Sequence, residues 1–328
     1  MIEQRRSNTA PEEPLPRVTV GTLNKNGIRR LRISIPTILR LDYPNLEMLV
    51  VDYGSSDGSI EYLKQFPQIR IVTVEEPLYV PRGRNRLVKE ARSPYFFMVD
   101  NDIEIVNPDL VRHLYSAYHR QSRLGFLSPL VLHGNTEYLE DVGLSHTRVQ
   151  RKQALSRVLN HGLVQVSGYY GNCVFFRTSL LEELGAHDEL YPYHNNDFDL
   201  GARAYLQGFQ VMIDTDHFVI HHGYEARVEL APVTWRYQYY LSSTCRIICK
   251  YYRLKNLMIW LPITMAWIFT KAFSLSWLNR STQPLTSCVK SFYLFLRDLP
   301  DTLRLRKQIQ RERIVPDDVF LKIPPVQF

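Results

Sequence analysis

Cysteine is scarce in this chain: four residues among 328, at Cys173, Cys245, Cys249 and Cys288. None forms a CxxC pair or a histidine-interleaved set, which excludes a disulfide scaffold and the common structural zinc modules. Reduced thiols in a packed core are the expected state, with Cys245 and Cys249 on one helix face. An internal repeat and a low-complexity tract are also missing. The opening stretch MIEQRRSNTAPEEPLPR has no apolar central segment, so it does not read as a secretory signal. Residues 1–16 are expected to be a flexible leader, and the protein to stay in the cytoplasm.

Acidic charge is in the minority. Forty Lys and Arg against 33 Asp and Glu give a formal net charge of +7, which suits a phosphorylated ligand, an anionic membrane or nucleic acid. The positive residues gather around an aromatic, apolar segment and in the tail RDLPDTLRLRKQIQRER. They make no recognisable nucleic-acid-binding motif, so no nucleic-acid partner is expected.

What the chain does have, from Val18, is strand-like and helix-like pieces in alternation. VTVGTL ends at Asn24, LEMLVVD ends at Asp52, IRIVTVE follows, and a helix RNRLVKEAR leads into YFFMVD, ending at Asp100. This spacing predicts an α/β fold built on a mostly parallel sheet with right-handed crossovers. Ligands of such sheets sit at the carboxyl ends of the strands. Asn24, Asp52, Asp100 and Asp102 all fall there, on one rim. Asp100 and Asp102, two apart in extended chain, point to the same side and repel unless neutralised. A divalent cation with oxygen ligands is one answer, and a solvated acidic turn is the other. An EF-hand loop is excluded, because Ile105 and Val111 stand where glycine and glutamate belong.

A second block, about 168–223, holds the strand NCVFFR, the helix SLLEELG, a helix in YPYHNNDFDLGARAYLQG, and the strand FQVMIDTDHFVIHH. The texture changes near Trp235. NLMIWLPITMAWIFTKAFSLSWL is apolar over some twenty residues, interrupted by Pro262 and Lys271. By length it just reaches a transmembrane helix. Trp260, Trp267 and Trp277, with Lys250, Arg253 and Lys255 ahead, favour a helix lying in the membrane interface, with a true span and a buried helix as alternatives. The basic tail would be drawn to an anionic leaflet.

The segments VTVGTLNKNG, VVDYGSSDGS, GRNRLVKEARSPYFFMVDND, GNCVFFRTSLLEELGAHDE, NNDFDLGARAYLQGFQV and VIHH stand in the order seen in family 2 inverting glycosyltransferases. The chain resembles that family, with its GT-A fold, from Arg17 to Gly223, in the manner of bacterial rhamnosyl- and O-antigen-type enzymes. The resemblance implies a GT-A domain over 17–230, and the aromatic, basic and apolar texture beyond it predicts a helical, membrane-interfacial region over 231–328. It implies a nucleotide-sugar donor contacted by Thr22, Asn24, Asp52, Arg84, Asn85, Asp100 and the small-residue loop ending at Gly171. It implies Mg²⁺ or Mn²⁺ held by Asp102, with His221 or His222 as a further metal-facing group; neighbours on a strand face opposite ways, so only one can serve. Asp197 falls at the position of the general base that deprotonates an acceptor hydroxyl, on a saccharide or a lipid-linked molecule. Asp199 reads as structural, with Arg203 one helical turn away. Tyr169 and Tyr170 could stack on a sugar. Where the family typically carries Glu-Asp, this chain reads Asn196-Asp197. That departure keeps open a second reading, a catalytically silent sugar-binding or scaffold protein of the same fold.

Overall fold

The structure, a computed structural model, describes residues 14–77, 79–134, 136, 138–139, 155–191, 195–223, 233–317 and 319. Most of the expected leader, residues 1–13, lies outside them. Among the described residues nine strands form one mixed sheet: β1 (Val18–Asn24), β2 (Leu46–Asp52), β3 (Ile69–Thr73), β4 (Tyr95–Val99), β5 (Ile103–Ile105), β6 (Leu124–His133), β7 (Leu163–Gln165), β8 (Cys173–Arg177) and β9 (Gln210–His221). Their order is β3-β2-β1-β4-β8-β6-β9-β5, and β7 pairs with β9. The first four strands run parallel; β8 is antiparallel to β4 and β6, while β6 and β9 are again parallel. The central strands are covered on both faces, which is why VTVGTLN, LEMLVVD and YFFMV read as continuous apolar runs instead of alternating ones. Gly21 is required by this packing: a Cβ there would lie 2.3 Å from Cζ of Phe96.

The helices between these strands are α1 (Ile28–Ile38), α2 (Ser59–Leu63), α3 (Val80–Glu90), α4 (Leu110–His119), α5 (Leu155–Val158), α6 (Ser179–Glu183) and α7 (Asn196–Leu206). Helix α3 starts four residues before the Arg84 expected from the sequence. Pro81 sits in its first turn, where a missing N–H leaves nothing unpaired.

Four further helices follow: α8 (Val233–Tyr251), α9 (Leu254–Leu278), α10 (Gln283–Arg297) and α11 (Leu299–Glu312). Ile247, Ile248 and Tyr251 of α8, with Tyr252 just after it, join the main core. Its Leu241, Cys245 and Cys249 pack with Ile268, Ala272, Cys288 and Phe295 in a second cluster. All four cysteines are free and buried, as expected. A buried ionic network ties α8 to α7. Lys250 Nζ reaches Asp188 at 2.9 Å and pairs closely with Asp199, Arg246 reaches Asp188 at 2.8 Å, and Arg203 reaches Asp199 at 2.6 Å. Lys250 and Arg246 are each 1 % exposed, so these charges depend on each other in place of water. The Asp199–Arg203 pair is the i, i+4 contact foreseen in the sequence.

Helix α9 is, among the described residues, the one long and apolar enough to cross a membrane by length and composition. Of its side chains only Ile268 and Ala272 are buried.

Candidate active site

Parallel pairing sets the first group. Asn24 and Asp52 close β1 and β2 directly opposite each other, and Asn24 Nδ2 donates to Asp52 Oδ2 at 2.7 Å. The other Asn24 edge accepts from Asn101 Nδ2 at 2.7 Å. Asp52 also takes the N–H and hydroxyl of Ser55, at 2.8 and 2.7 Å, as an Asx turn does. The ends of β1, β2 and β4 are thus sewn together by one side-chain chain, Asp52–Asn24–Asn101. Gly27 makes room for it, since a Cβ would stand 2.4 Å from both Asn101 Nδ2 and Asn24 Oδ1.

The acidic pair lies just beyond β4. Asp100 keeps 36 % of its side chain exposed and lies 3.5 Å from Arg84 Nη2. Desolvation raises its carboxyl above the usual range against the pull of Arg84, and the Asp102 charge adds to the rise. Asp102 is 8 % exposed, and its Oδ1 lies 3.2 Å from His221 Nε2. Burial works to raise Asp102, but the hydrogen bond and charge of His221 outweigh it and hold this carboxyl low. Asn172 Nδ2 lies 3.1 Å from His221 Nδ1. His222 turns the other way, to Glu104 Oε2 at 2.8 Å. Of the two histidines it is therefore His221 that shares the site with Asp102.

Asp102 and His221 fit a divalent cation. Their oxygen and nitrogen atoms converge, and the donor set suits Mn²⁺ or Mg²⁺ chemistry. The space before them is kept free by Gly223, where a Cβ would lie 2.6 Å from His221 Nε2 and 3.0 Å from Asp102 Oδ2.

A third group hangs on Arg84, 5 % exposed. Besides Asp100, its guanidinium donates to Asn196 Oδ1 at 2.7 Å. It thereby links the end of β4 to the first turn of α7. Asp197, next along, accepts the N–H of Phe198 at 2.9 Å and the N–H of Gly171. Burial pushes the Asp197 carboxyl above the usual carboxylate range, against the charge of Arg84. Gly171 packs so tightly that a Cβ would stand 2.7 Å from Asp197 Oδ2 and 2.8 Å from Arg84 Nη1. The glycine expected to face the ligand thus backs directly onto the expected base.

Other expected residues land elsewhere. Thr22 is fully buried in β1, and its hydroxyl has no partner among the described residues. Asn85 spends its amide on the loop beyond α6: it donates to His187 O and Glu189 Oε1, at 2.9 and 3.1 Å, and accepts from His187 N at 2.8 Å. Both ends of the amide thus clamp this loop to α3. Tyr169 stacks on Phe126 at 4.4 Å within the core, and Tyr170 is 7 % exposed, so neither presents a face to a sugar. The sequence reading passed over Asn101, Asn172 and Gly223. The first stands inside the DxD itself and the second next to Gly171, so position alone marked both.

A mixed sheet of this order, with a carboxylate and histidine at its rim and a second carboxylate opening the next helix, defines the GT-A class of nucleotide-sugar folds. Residues 18–185, about half of the chain, match the model of glycosyl transferase family 2, and the chain belongs to that family. It is 25% identical over 233 residues to the O-antigen biosynthesis protein RfbC of Myxococcus xanthus, covering 66% of this chain and 18% of that one. It is 26% identical over 115 residues to the putative teichuronic acid biosynthesis glycosyltransferase TuaG of Bacillus subtilis, covering 34% of this chain and 46% of the relative. The chain thus spans less than half the length of either relative. In structure it is similar to S. aureus TarS 1-349 in complex with UDP-GlcNAc, with TM-score 0.58, 15% identity, and 94% of this chain and 90% of that one covered. GalNAc-T7 with UDP, GalNAc and Mn²⁺ gives TM-score 0.53 at 14% identity, over 74% of this chain and 49% of that one. At such identities the likeness is one of fold.

Proposed function

We propose that the protein transfers a sugar from a nucleoside diphosphate sugar to a hydroxyl of a saccharide or lipid-linked acceptor, with inversion at the anomeric carbon. The observation that carries the reading is the pair of groups on one rim: Asp102 with His221, and Asp197 held between Gly171 and Phe198. Asp52, Asn24 and Asn101 form the edge on which the nucleoside rests. Asp102 and His221 hold Mg²⁺ or Mn²⁺, which when bound offsets the diphosphate charge and eases departure of the leaving group. Asp197 accepts the proton of the acceptor hydroxyl; that oxygen bonds to the anomeric carbon as its bond to the diphosphate oxygen breaks, releasing nucleoside diphosphate. A carboxyl raised by burial is the stronger base, and such help contributes about 10²–10⁴-fold. Arg84 keeps Asp100 and the start of α7 in register.

The names of the relatives, from O-antigen and teichuronic acid synthesis, support a cell-surface polysaccharide as the product, and a hexosyl or rhamnosyl donor is in keeping with them. We assign donor and acceptor chemistry to residues 17–230 and membrane contact to 231–328. Helix α9 exposes Leu254, Met258, Trp267, Phe273, Trp277 and Leu278, each about half or more, with Lys271 folded over Trp267 at 5.0 Å. An aromatic, cation-fringed helix of this kind sits in the interface of an anionic leaflet, on the cytoplasmic side.

The test is a thermal-shift screen with UDP-, GDP- and dTDP-sugars, in Mn²⁺ and again in EDTA. A ligand that binds only the folded state raises its apparent stability. A shift with one nucleotide class, lost in EDTA, is expected. No shift with any donor, in protein shown to be folded, would transfer the weight to the silent scaffold reading.

A further inference from the structure

A second histidine–carboxylate cluster lies away from the rim. Strands β6 and β9 lose register between Pro129 and Leu130: Asp214 pairs with Pro129 and Phe218 with Leu130, so Thr215, Asp216 and His217 bulge out of the ladder. A bulge re-aims side chains, and this one turns Asp214 and His217 toward His113 on α4. Asp214 is 0 % exposed. Its Oδ1 lies 3.2 Å from His113 Nε2, and its Oδ2 lies 3.2 Å from His217 Nδ1. The ligand atoms of all three residues lie within 4.8 Å of one another.

Three features fit this cluster to a cation. The spacing is the first: tetrahedral zinc bonds of about 2.0–2.1 Å leave ligand atoms about 3.3 Å apart, and the two 3.2 Å hydrogen bonds already hold the three side chains at nearly that separation. The second is outer support. His217 Nε2 faces Asp109 Oδ2 at 3.6 Å, and Asp214 Oδ1 accepts the N–H of Asp216 at 3.2 Å. A carboxylate behind a ligating imidazole, and a hydrogen bond behind a ligating carboxylate, are the usual outer shell of a metal site. The third is rigidity. The bulge is stitched to residues 160–162 by Asn160 N to Thr215 O (3.0 Å), His161 N to Thr215 Oγ1 (2.8 Å) and Thr215 N to Gly162 O (3.0 Å).

We propose that His113, Asp214 and His217 form a binding site for one Zn²⁺-class divalent cation, separate from the Asp102–His221 site. Two imidazoles and a carboxylate suit borderline first-row metals more than Mg²⁺ or Ca²⁺. Asp214 pairs with Pro129 and His221 with His133, four residues on in β6, about 13 Å of strand at about 3.3 Å per residue, so one ion cannot serve both sites. The His113 side chain, 27 % exposed, leaves a fourth position open to water. The cation staples the first turn of α4 to the bulge in β9, the strand that carries His221.

The test uses tag-free, full-length protein dialysed against EDTA, then loaded with zinc sulfate and desalted. Metal is counted by mass spectrometry and thermal unfolding is followed with and without zinc. The expected result is about one zinc per chain and a rise in Tm of several degrees, both lost in His113→Ala and in His217→Ala. Asp102→Ala should keep this zinc, which distinguishes failure of this site from failure of the proposed transferase site. His113→Gln, at the partly exposed position, serves if the alanine variants fold poorly. Wild-type protein that keeps no zinc and shows no zinc-dependent Tm overturns the assignment. So does zinc that survives both histidine substitutions.

Discussion

Replacing Gly171 by alanine probes the joint between loop and base. Gly171 does not have a positive φ, so its backbone tolerates any side chain and only space is at issue. The new Cβ would meet Asp197 Oδ2 at 2.7 Å, Arg84 Nη1 at 2.8 Å and Asp197 Cβ at 3.1 Å. Ordinary contact begins near 3.4 Å, so the carboxylate and the guanidinium must each give way by about 0.6–0.7 Å. Arg84 has little freedom, being held by Asn196, and Asp197 is fixed by Phe198 N–H on a helix start. A displacement approaching 1 Å at a reacting group lowers rate by about 10²-fold, equivalent to about 2.7 kcal/mol in the barrier. Overpacking should also lower stability by about 1–3 kcal/mol. The assay is steady-state release of nucleoside diphosphate, with denaturant unfolding alongside. We expect kcat to fall about 100-fold while the KM for the donor changes little. A Gly171→Ala protein with wild-type kcat would refute the placement of Asp197 as base.

Further expectations follow from the same geometry. Gly223→Ala puts a Cβ 2.6 Å from His221 Nε2 and should abolish Mn²⁺-dependent donor binding while the fold persists; a metal-dependent thermal shift of wild-type size would show the cation binds elsewhere. Lys250→Met removes the charge between Asp188 and Asp199 and should lower stability by about 3–5 kcal/mol, read by urea unfolding. Glu47 is buried, which alone would raise its pKa, yet hydrogen bonds from Thr19, Arg92 and Arg70 hold it below 4.5. Its stabilising effect is therefore complete above the unfolded value and disappears as pH falls through the folded one. Glu47→Gln should flatten the loss of stability below pH 4.5, and an unchanged acid profile would count against this.

Much of the rim was legible because its logic is local. A parallel strand buried on both faces is a short apolar run, and a polar residue ending it must surface at the carboxyl edge. Asn24, Asp52, Asp100 and Asp102 could be placed on that ground alone. What was not legible depends on pairing between distant segments. That His221, and not His222, meets Asp102 follows from the register of β5 with β9, in which Ile103 stands opposite His221. The partnership of Arg84 with Asn196, residues 112 apart, depends on how α7 meets α3. The clamp made by Asn85 was hidden for another reason: a motif position shows which residue is present, not which hydrogen bonds it makes. The His113–Asp214–His217 cluster has no regular spacing in sequence and becomes visible only once the bulge in β9 brings it together.

The most direct test of the central claim compares wild-type protein with Asp197→Asn, using water as the acceptor and the donor selected by thermal shift. Asparagine keeps the shape of the side chain and cannot take the proton. The account predicts that donor binding with Mn²⁺ is retained while release of nucleoside diphosphate falls by about 10²-fold or more. Full turnover in Asp197→Asn, with donor binding intact, would contradict it.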